Sequence, residues 1–172
     1  MTKKLKILDF LLLVLIITYQ VVSPDGTLAQ NQGEDSFCSS LQAMIRAGAD
    51  SFRSLRGSRD PDADGTGWAS RISLPGATEC EVWNVDGSPG ISCDFSGSAS
   101  ADRLDAQYDE ILEKLESCLR GWKKTQETTR KRLVKGTSFD RADITVRIEI
   151  AERLSHRHPG FDLTLWIDKN TD

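Results

Sequence analysis

The sequence has few of the residues on which common hydrolytic and metal centres depend. Its two histidines, His156 and His158, lie two positions apart in a predicted turn, where a solvated role is expected. A serine or cysteine hydrolase of the usual design needs a histidine base, and the chain has no G-x-S-x-G motif. The lack of a Cys-x-x-Cys pair argues against a thiol redox centre or a zinc ribbon. These gaps favour a protein that is not an enzyme.

Long apolar runs are equally scarce. The clearest one, Phe10 to Val22, follows three lysines and precedes a polar stretch that ends at Ala29. This order of regions is typical of a signal peptide, and the run is shorter than the ~20 apolar residues that a membrane span needs. We expect residues 1–29 to be cleaved off, with a retained membrane anchor as the alternative. The mature chain is then expected in the periplasm or outside the cell, away from the membrane.

Positive charge is in the minority, with 22 lysines and arginines against 26 aspartates and glutamates. The resulting net charge of −4 gives no electrostatic reason to expect a nucleic acid as partner. The many acids leave one competing interpretation open, a periplasmic hydrolase or small-ligand binder whose site is built from scattered carboxylates.

The four cysteines are even in number, and all of them follow the predicted cleavage site. An oxidising compartment favours bridges between them. Cys80 and Cys93 flank Asp86-Gly87, a favoured hairpin turn, and pairing about that turn sets the two cysteines opposite each other. Cys38 and Cys118 then remain for a second bridge between two predicted helices. Two disulfides are therefore expected.

The spacing of apolar residues predicts two amphipathic helices. The first is expected to begin at Asp35 or Ser36, after a flexible leader at 30–34, and to end near Gly57. The second is expected to begin at Ser100 and to end near Gly121.

About five strands are predicted by alternation of apolar and polar residues. They are a short strand at 68–74, a hairpin at 78–95 and a second hairpin built from 140–151 and 161–167. In the second hairpin, pairing of Ile150 with Phe161 would place all its aliphatic residues on one face. Residues 35–172 are therefore expected to form a single α+β domain in two layers, an antiparallel sheet covered on one face by both helices, in the order α-β-β-β-α-β-β.

This order of elements resembles that of the bacterial type III secretion chaperones, small dimeric domains that hold a segment of an effector protein. The resemblance covers element order only. It implies a non-catalytic protein-binding module, chaperone-like or inhibitory, that binds another protein or a second copy of itself.

One acidic loop resembles the opening of a calcium site. Asp60, Asp62 and Asp64 alternate ahead of Gly65, as the first ligands of an EF-hand loop do. Arg71 stands at the twelfth position, where an EF-hand needs a bidentate glutamate, so an EF-hand is excluded. Weak calcium binding and an inert surface loop remain the two interpretations, and no other cofactor is indicated.

Two tryptophans are predicted on the face of the sheet that the helices do not cover. Trp83 and Trp166 alternate away from the apolar residues of their strands, and Thr145 and Thr164 would form a polar surround beside Trp166. Exposed indoles of this kind indicate a surface for a partner protein or a homodimer. The alternative is that the loop at 56–67 or the basic segment at 123–136 folds over them.

Overall fold

The computed structural model describes residues 28–61, 66–98, 100–127, 132–153 and 159–170. The chain divides into two compact units, Met1–Gly33 and Glu34–Asp172. Of the first unit, only the helical backbone from Leu28 onward is described. The second unit holds an eight-stranded antiparallel sheet and the hydrophobic core.

One helix followed by four strands occurs twice along the chain. The first set comprises helix α1 (Leu28–Ala47) and strands β1 (Arg56–Arg59), β2 (Gly67–Ser70), β3 (Glu79–Val85) and β4 (Ser88–Ser98). The second set comprises helix α2 (Asp105–Cys118) and strands β5 (Lys123–Glu127), β6 (Leu133–Arg141), β7 (Ile144–Glu152) and β8 (Phe161–Lys169). Short 3₁₀ turns flank the helices at Gly48–Asp50, Arg53–Leu55 and Ala101–Arg103.

Each set of four strands forms an antiparallel meander, and the two meanders meet at the centre of the sheet. The strand order is β1-β2-β3-β4-β8-β7-β6-β5. The last strand of one meander, β4, therefore pairs with the last strand of the other, β8. The outermost strands are the first of each meander, β1 and β5.

The α+β class is confirmed, but the prediction of about five strands is wrong, since the described residues form eight. The helices also stand elsewhere in the order, which is α-β-β-β-β-α-β-β-β-β. β1 (RGSR) and β5 (KKTQE) contain no apolar residue that could reveal an alternating face, so alternation of apolar and polar residues predicts neither strand. Because the resemblance to secretion chaperones depended on element order, it does not extend to this arrangement.

The helix boundaries differ from the predicted ones. α1 begins at Leu28 and so includes 30–34, where Gln30, Gln32 and Glu34 favour a helix and Asn31 and Gly33 do not. It ends at Ala47, since Ser51 and Phe52 take left-handed backbone angles, with φ of 59° and 58°. The two 3₁₀ turns around them still bring Phe52 into the core. α2 begins at Asp105, after a 3₁₀ turn that follows the predicted cap Ser100.

The core lies between the helices and one face of the sheet. Its members include inward residues of the central strands and one stripe of each helix, among them Phe37, Leu41, Met44, Tyr108, Ile111, Leu115, Val82, Ile91, Val146, Ile148 and Leu165. Burial of these apolar side chains is the main favourable contribution to folding. The opposite face of the sheet, here called the outer face, carries the side chains that alternate with them.

Both predicted disulfides are confirmed. Cys38 and Cys118 join the two helices across a Cα–Cα distance of 5.2 Å. Cys80 and Cys93 are directly opposite in the β3–β4 ladder, with a Cα–Cα distance of 4.1 Å. In the chain-entropy view, the longer loop contributes about 4 kcal/mol and the shorter about 3 kcal/mol to stability.

The predicted register of the second hairpin is wrong by two residues. Ile150 pairs with Leu163, and Phe161 lies opposite Glu152. The faces are unchanged, because side chains alternate with a period of two and a two-residue shift preserves their direction. The hydrophobic pattern therefore defines the face, whereas the turn defines the register.

Candidate functional site

The outer face is built by residues that stand side by side on the four central strands. One row across β3, β4, β8 and β7 consists of Trp83, Gly90, Asp168 and Thr145. The next row consists of Glu81, Ser92, Trp166 and Arg147. Residues opposite each other in a ladder share a face, so the two tryptophans lie on the same side of the sheet.

The two indole rings meet above β4, which separates their strands. Their centroids are 6.2 Å apart and their planes are inclined by 70°, an edge-to-face arrangement. Strands two places apart in a sheet are separated by about 9 to 10 Å, so the rings lean toward each other over the strand between them. The outer residues of β4 beneath them are small, namely Ser88, Gly90 and Ser92.

Gly90 leaves the space in which Trp83 lies. A β-carbon built on Gly90 would stand 2.6 Å from Cε2 and 2.7 Å from Cη2 of Trp83, far inside van der Waals contact. The indole nitrogen of Trp83 is buried and has no hydrogen-bond partner among the described residues. The position of this ring is therefore set by packing against β4 and Trp166.

Trp166 belongs to a polar network with β7. Its Nε1 donates a hydrogen bond of 2.9 Å to Oε1 of Glu149. The guanidinium of Arg147 lies 5.9 Å from the Trp166 ring centroid, and its Nε is 3.4 Å from Oε2 of Glu149. Burial raises the pKa of Glu149, while Arg147 and the bond from Trp166 oppose that shift. Arg147 and Glu149 thus hold the Trp166 ring in place.

A cavity of about 480 Å³ opens beside the two rings. Trp83, Trp166 and Pro89 supply its apolar walls, and Arg147, Lys169 and Asp168 supply charge. Burial raises the pKa of Asp168, and the positive charge of Arg147 reduces this shift without reversing it. In the described part of the chain, the Asp168 carboxylate forms no salt bridge. The cavity therefore combines aromatic surface with two cationic side chains and one half-buried carboxylate.

An acidic patch, consisting of Asp60, Glu79, Glu81 and Asp94, adjoins the tryptophans. Glu79 and Asp94 stand directly opposite each other in the β3–β4 ladder. Burial raises the pKa of Glu81, and the charges of Asp60, Glu79 and Asp94 raise it further. Like charges in such positions destabilise a sheet. The acids of this patch therefore repel one another, while Thr164 donates a hydrogen bond to Asp94.

The structure places the four predicted partner-binding residues on the outer face. Trp83 and Trp166 are in contact, whereas the two threonines bond elsewhere. Thr145 donates to Oδ1 of Asp140 at 2.7 Å, and Thr164 donates to Oδ1 of Asp94 at 2.8 Å. Both are therefore fixed at the edges of the site.

Sequence reasoning missed three residues of the site. Arg147, Glu149 and Asp168 share the sheet face of Trp166, as their ladder positions show. The same alternation that singled out the tryptophans also marks these positions. Their importance depends on burial and on the pairing of β4 with β8, which local patterns do not reveal.

The predicted calcium loop lies partly outside the described residues. Asp62 and Asp64 lie outside the described residues, in the gap at 62–65, and His156 and His158 lie in a second gap at 154–158. Asp60 belongs to the acidic patch. Within the described ranges, no group of three or more histidine, cysteine or acidic side chains is arranged to hold a metal ion. Calcium binding by this loop stays a prediction.

No family model, curated protein or solved structure matches this chain. Among the described residues, no helix is long and apolar enough to cross a membrane. The two disulfides fit an oxidising, extracellular type of compartment.

Proposed function

We propose that this protein is a non-catalytic protein-binding module and that its partner docks on the outer face of the sheet. The observation that carries the proposal is the contact between Trp83 and Trp166, which gathers two indoles on the side of the sheet away from the helices. Tryptophan is enriched among the residues that dominate binding energy at protein interfaces. A paired, half-buried arrangement also keeps the rings rigid before binding.

The surroundings of the rings support this function. Polar side chains with satisfied hydrogen bonds, including Thr145, Thr164 and Glu149, border the indoles. A protein interface typically has such an apolar centre and a polar rim. A second copy of the chain and a different protein are both compatible with this pattern.

A small-ligand binder is the second candidate, and the cavity beside Trp83 favours it. Its volume of about 480 Å³ lies within the range of about 300 to 1,000 Å³ that ligand pockets occupy. In that case a compound of low molecular mass, extracted with the native protein, would occupy the cavity.

Export is part of the proposal. We propose that residues 1–29 direct the chain to the periplasm or the medium and that cleavage follows Ala29. Protein isolated from the producing cells should then begin at Gln30 when sequenced from its amino terminus. An intact amino terminus in membrane fractions would support the retained anchor.

The function is tested by removing each indole. Trp83→Ala and Trp166→Ala should retain a cooperative thermal transition but recover at least tenfold less of a partner protein from an extract of the native periplasm or medium. Val134→Ala is the matched control, because Val134 is an apolar residue with 40% exposure that lies outside this site. Equal recovery by all three variants would refute a docking role for the tryptophans.

A further inference from the structure

We propose that the cavity beside Trp83 and Trp166 binds a neutral saccharide, whose hydroxyl groups bond Asp168 and Arg147 while its C–H surfaces pack on the two indoles. This inference rests on the small-ligand candidate of the proposed function, because it names the chemical class that the cavity accepts. Three features of the cavity support it: the balance of its charges, its unused hydrogen-bonding groups and the arrangement of its aromatic walls.

The charged side chains that line the cavity are of both signs. Arg147 and Lys169 are cationic, and Asp168 is the acid of the lining. Arg147 and Asp168 are diagonal neighbours across the β7–β8 ladder, so each charge partly compensates the other. A cationic ligand would meet Arg147 and Lys169, an anionic ligand would meet Asp168, and like charges brought together disfavour binding. The lining therefore favours a ligand without charge.

Two of these charged groups have hydrogen-bonding capacity that the fold does not use. Nε of Arg147 is buried and has no hydrogen-bond partner among the described residues, although Oε2 of Glu149 lies 3.4 Å away. A guanidinium only donates hydrogen bonds and the carboxylate of Asp168 only accepts them, whereas a hydroxyl group does both. An ammonium group could therefore serve only the carboxylate, and an anion only the guanidinium. Hydroxyl groups of one ligand can bond both side chains.

The apolar walls of the cavity meet at an angle. The rings of Trp83 and Trp166 are inclined by 70°, and Pro89 adds a third apolar surface. Ligand pockets typically combine such aromatic walls with a few polar groups that fix the orientation of the ligand. A saccharide ring carries C–H groups on its faces and hydroxyl groups around its edge, so one pose satisfies both kinds of wall. A side-chain amide or a small zwitterion offers the polar groups but less C–H surface.

The test uses the protein isolated from its producing cells, with its disulfides intact, and disaccharides that differ in charge. Cellobiose and lactose are the neutral probes, the disaccharide of glucosamine is the cationic probe, and the disaccharide of galacturonic acid is the anionic probe. The indole N–H resonances report where each probe binds, with Trp68 and Trp122, which do not line the cavity, as internal controls. We expect a neutral disaccharide to shift the resonances of Trp83 and Trp166 alone and to bind at least tenfold more tightly than either charged probe.

Asp168→Ala is the diagnostic variant, and Asp102→Ala is its matched control. Both remove one carboxylate, but Asp102 is exposed in the 3₁₀ turn that precedes α2. We expect Asp168→Ala to weaken binding of the neutral disaccharide at least tenfold, because it removes a hydrogen bond to a charged group, and Asp102→Ala to change it less than twofold. Should Asp168→Ala fail to fold, Asn170→Ala provides the same comparison at another polar residue of the cavity, with weakened binding expected.

The outcomes separate this inference from the proposed function. If neither cellobiose nor lactose shifts the two indole resonances, or if a charged disaccharide binds as tightly, the saccharide site is overturned. Tighter binding of free glutamine than of the sugars would also overturn it, in favour of an amide ligand. In each case, loss of a protein partner in Trp83→Ala would still support a docking surface. If Trp83→Ala and Trp166→Ala lose no protein partner, the docking function fails while sugar binding by the unaltered protein still supports the site.

Discussion

Replacing Gly90 by alanine tests whether the space left by this glycine holds the indole of Trp83 across β4. The added methyl carbon would stand 2.6 Å from Cε2 and 2.7 Å from Cη2 of that ring. The backbone of Gly90 does not take a left-handed angle, so alanine fits the strand itself without strain. The ring is therefore the group that must move, and it must lift away from the sheet and from Trp166.

The expected cost follows from two opposing effects. Overpacking of this kind costs about 1–3 kcal/mol, and the lost contact between the rings accounts for about 0.5–1.5 kcal/mol of it. Alanine in place of glycine within a strand, with no clash, stabilises by about 0.5–1 kcal/mol. We therefore expect Gly90→Ala to lower the free energy of unfolding by about 1–2 kcal/mol.

A double-mutant cycle isolates the contribution of the ring. In a Trp83→Ala background there is no indole for the new methyl group to meet, so Gly90→Ala should be neutral or stabilising by up to about 1 kcal/mol. The coupling between the two positions is then about 2 kcal/mol. Residues that do not touch each other show couplings well below this value.

Urea unfolding with the disulfides intact measures all four proteins. A loss of 1–2 kcal/mol corresponds to a fall of roughly 0.5–1 M in the urea midpoint, given typical slopes of about 1–3 kcal/mol per molar. Circular dichroism of the folded proteins should show weaker coupling between the two indoles in Gly90→Ala. Equal destabilisation by Gly90→Ala in both backgrounds would refute the packing of Trp83 on Gly90.

Three further predictions concern the bridges, a buried hydrogen bond and the cavity acid. Cys118→Ala should lower the stability of the protein by about 4 kcal/mol, and Cys80→Ala should lower it by about 3 kcal/mol, because each removes one disulfide. The reverse order in thermal or urea unfolding would contradict the loop-entropy account. Tyr108→Phe and Thr137→Val should each cost about 1 kcal/mol, because their hydroxyls are joined by a buried bond of 2.8 Å, and the double variant should cost less than the sum of both. Asp168→Asn should raise the urea midpoint at pH 7. Burial raises the pKa of Asp168 in the folded protein above its unfolded value, so the ionised carboxylate destabilises the protein above that pKa. The gain should vanish below about pH 4, and a gain that persists there would contradict this reasoning.

The two hairpins show which parts of a fold are readable from sequence. Asp86-Gly87 specifies a tight turn, so the register that sets Cys80 against Cys93 is predictable and correct. The connection from Arg153 to Gly160 contains Pro159-Gly160 but no two-residue hairpin pair such as Asp-Gly, and the register of its strands is displaced by two residues from the predicted one. Alternation gives the face of each strand in both cases.

Strands that contain no apolar residues cannot be predicted from alternation, and this has a physical reason. β1 and β5 lie at the sheet edges, and their ladder bonds to β2 and β6 hold them without burial of apolar side chains. Lysines at Lys123 and Lys124 are also characteristic of edge strands, because charge discourages further strand pairing. A basic, polar segment is therefore ambiguous between a solvated connection and an edge strand until its neighbours are known.

The site depends on long-range pairing. Trp83 and Trp166 are 83 positions apart in the chain and meet only because β4 pairs with β8 and lies between their strands. The sequence does contain a trace of this arrangement, since Ser88, Gly90 and Ser92 alternate as small residues with the buried Pro89, Ile91 and Cys93. A central strand gains little stability from small outer residues, because glycine and serine bury little apolar surface and glycine lowers strand stability. Their presence is explained if β4 must leave room for two indoles above it, and a bulky residue at any of these three positions should separate the rings.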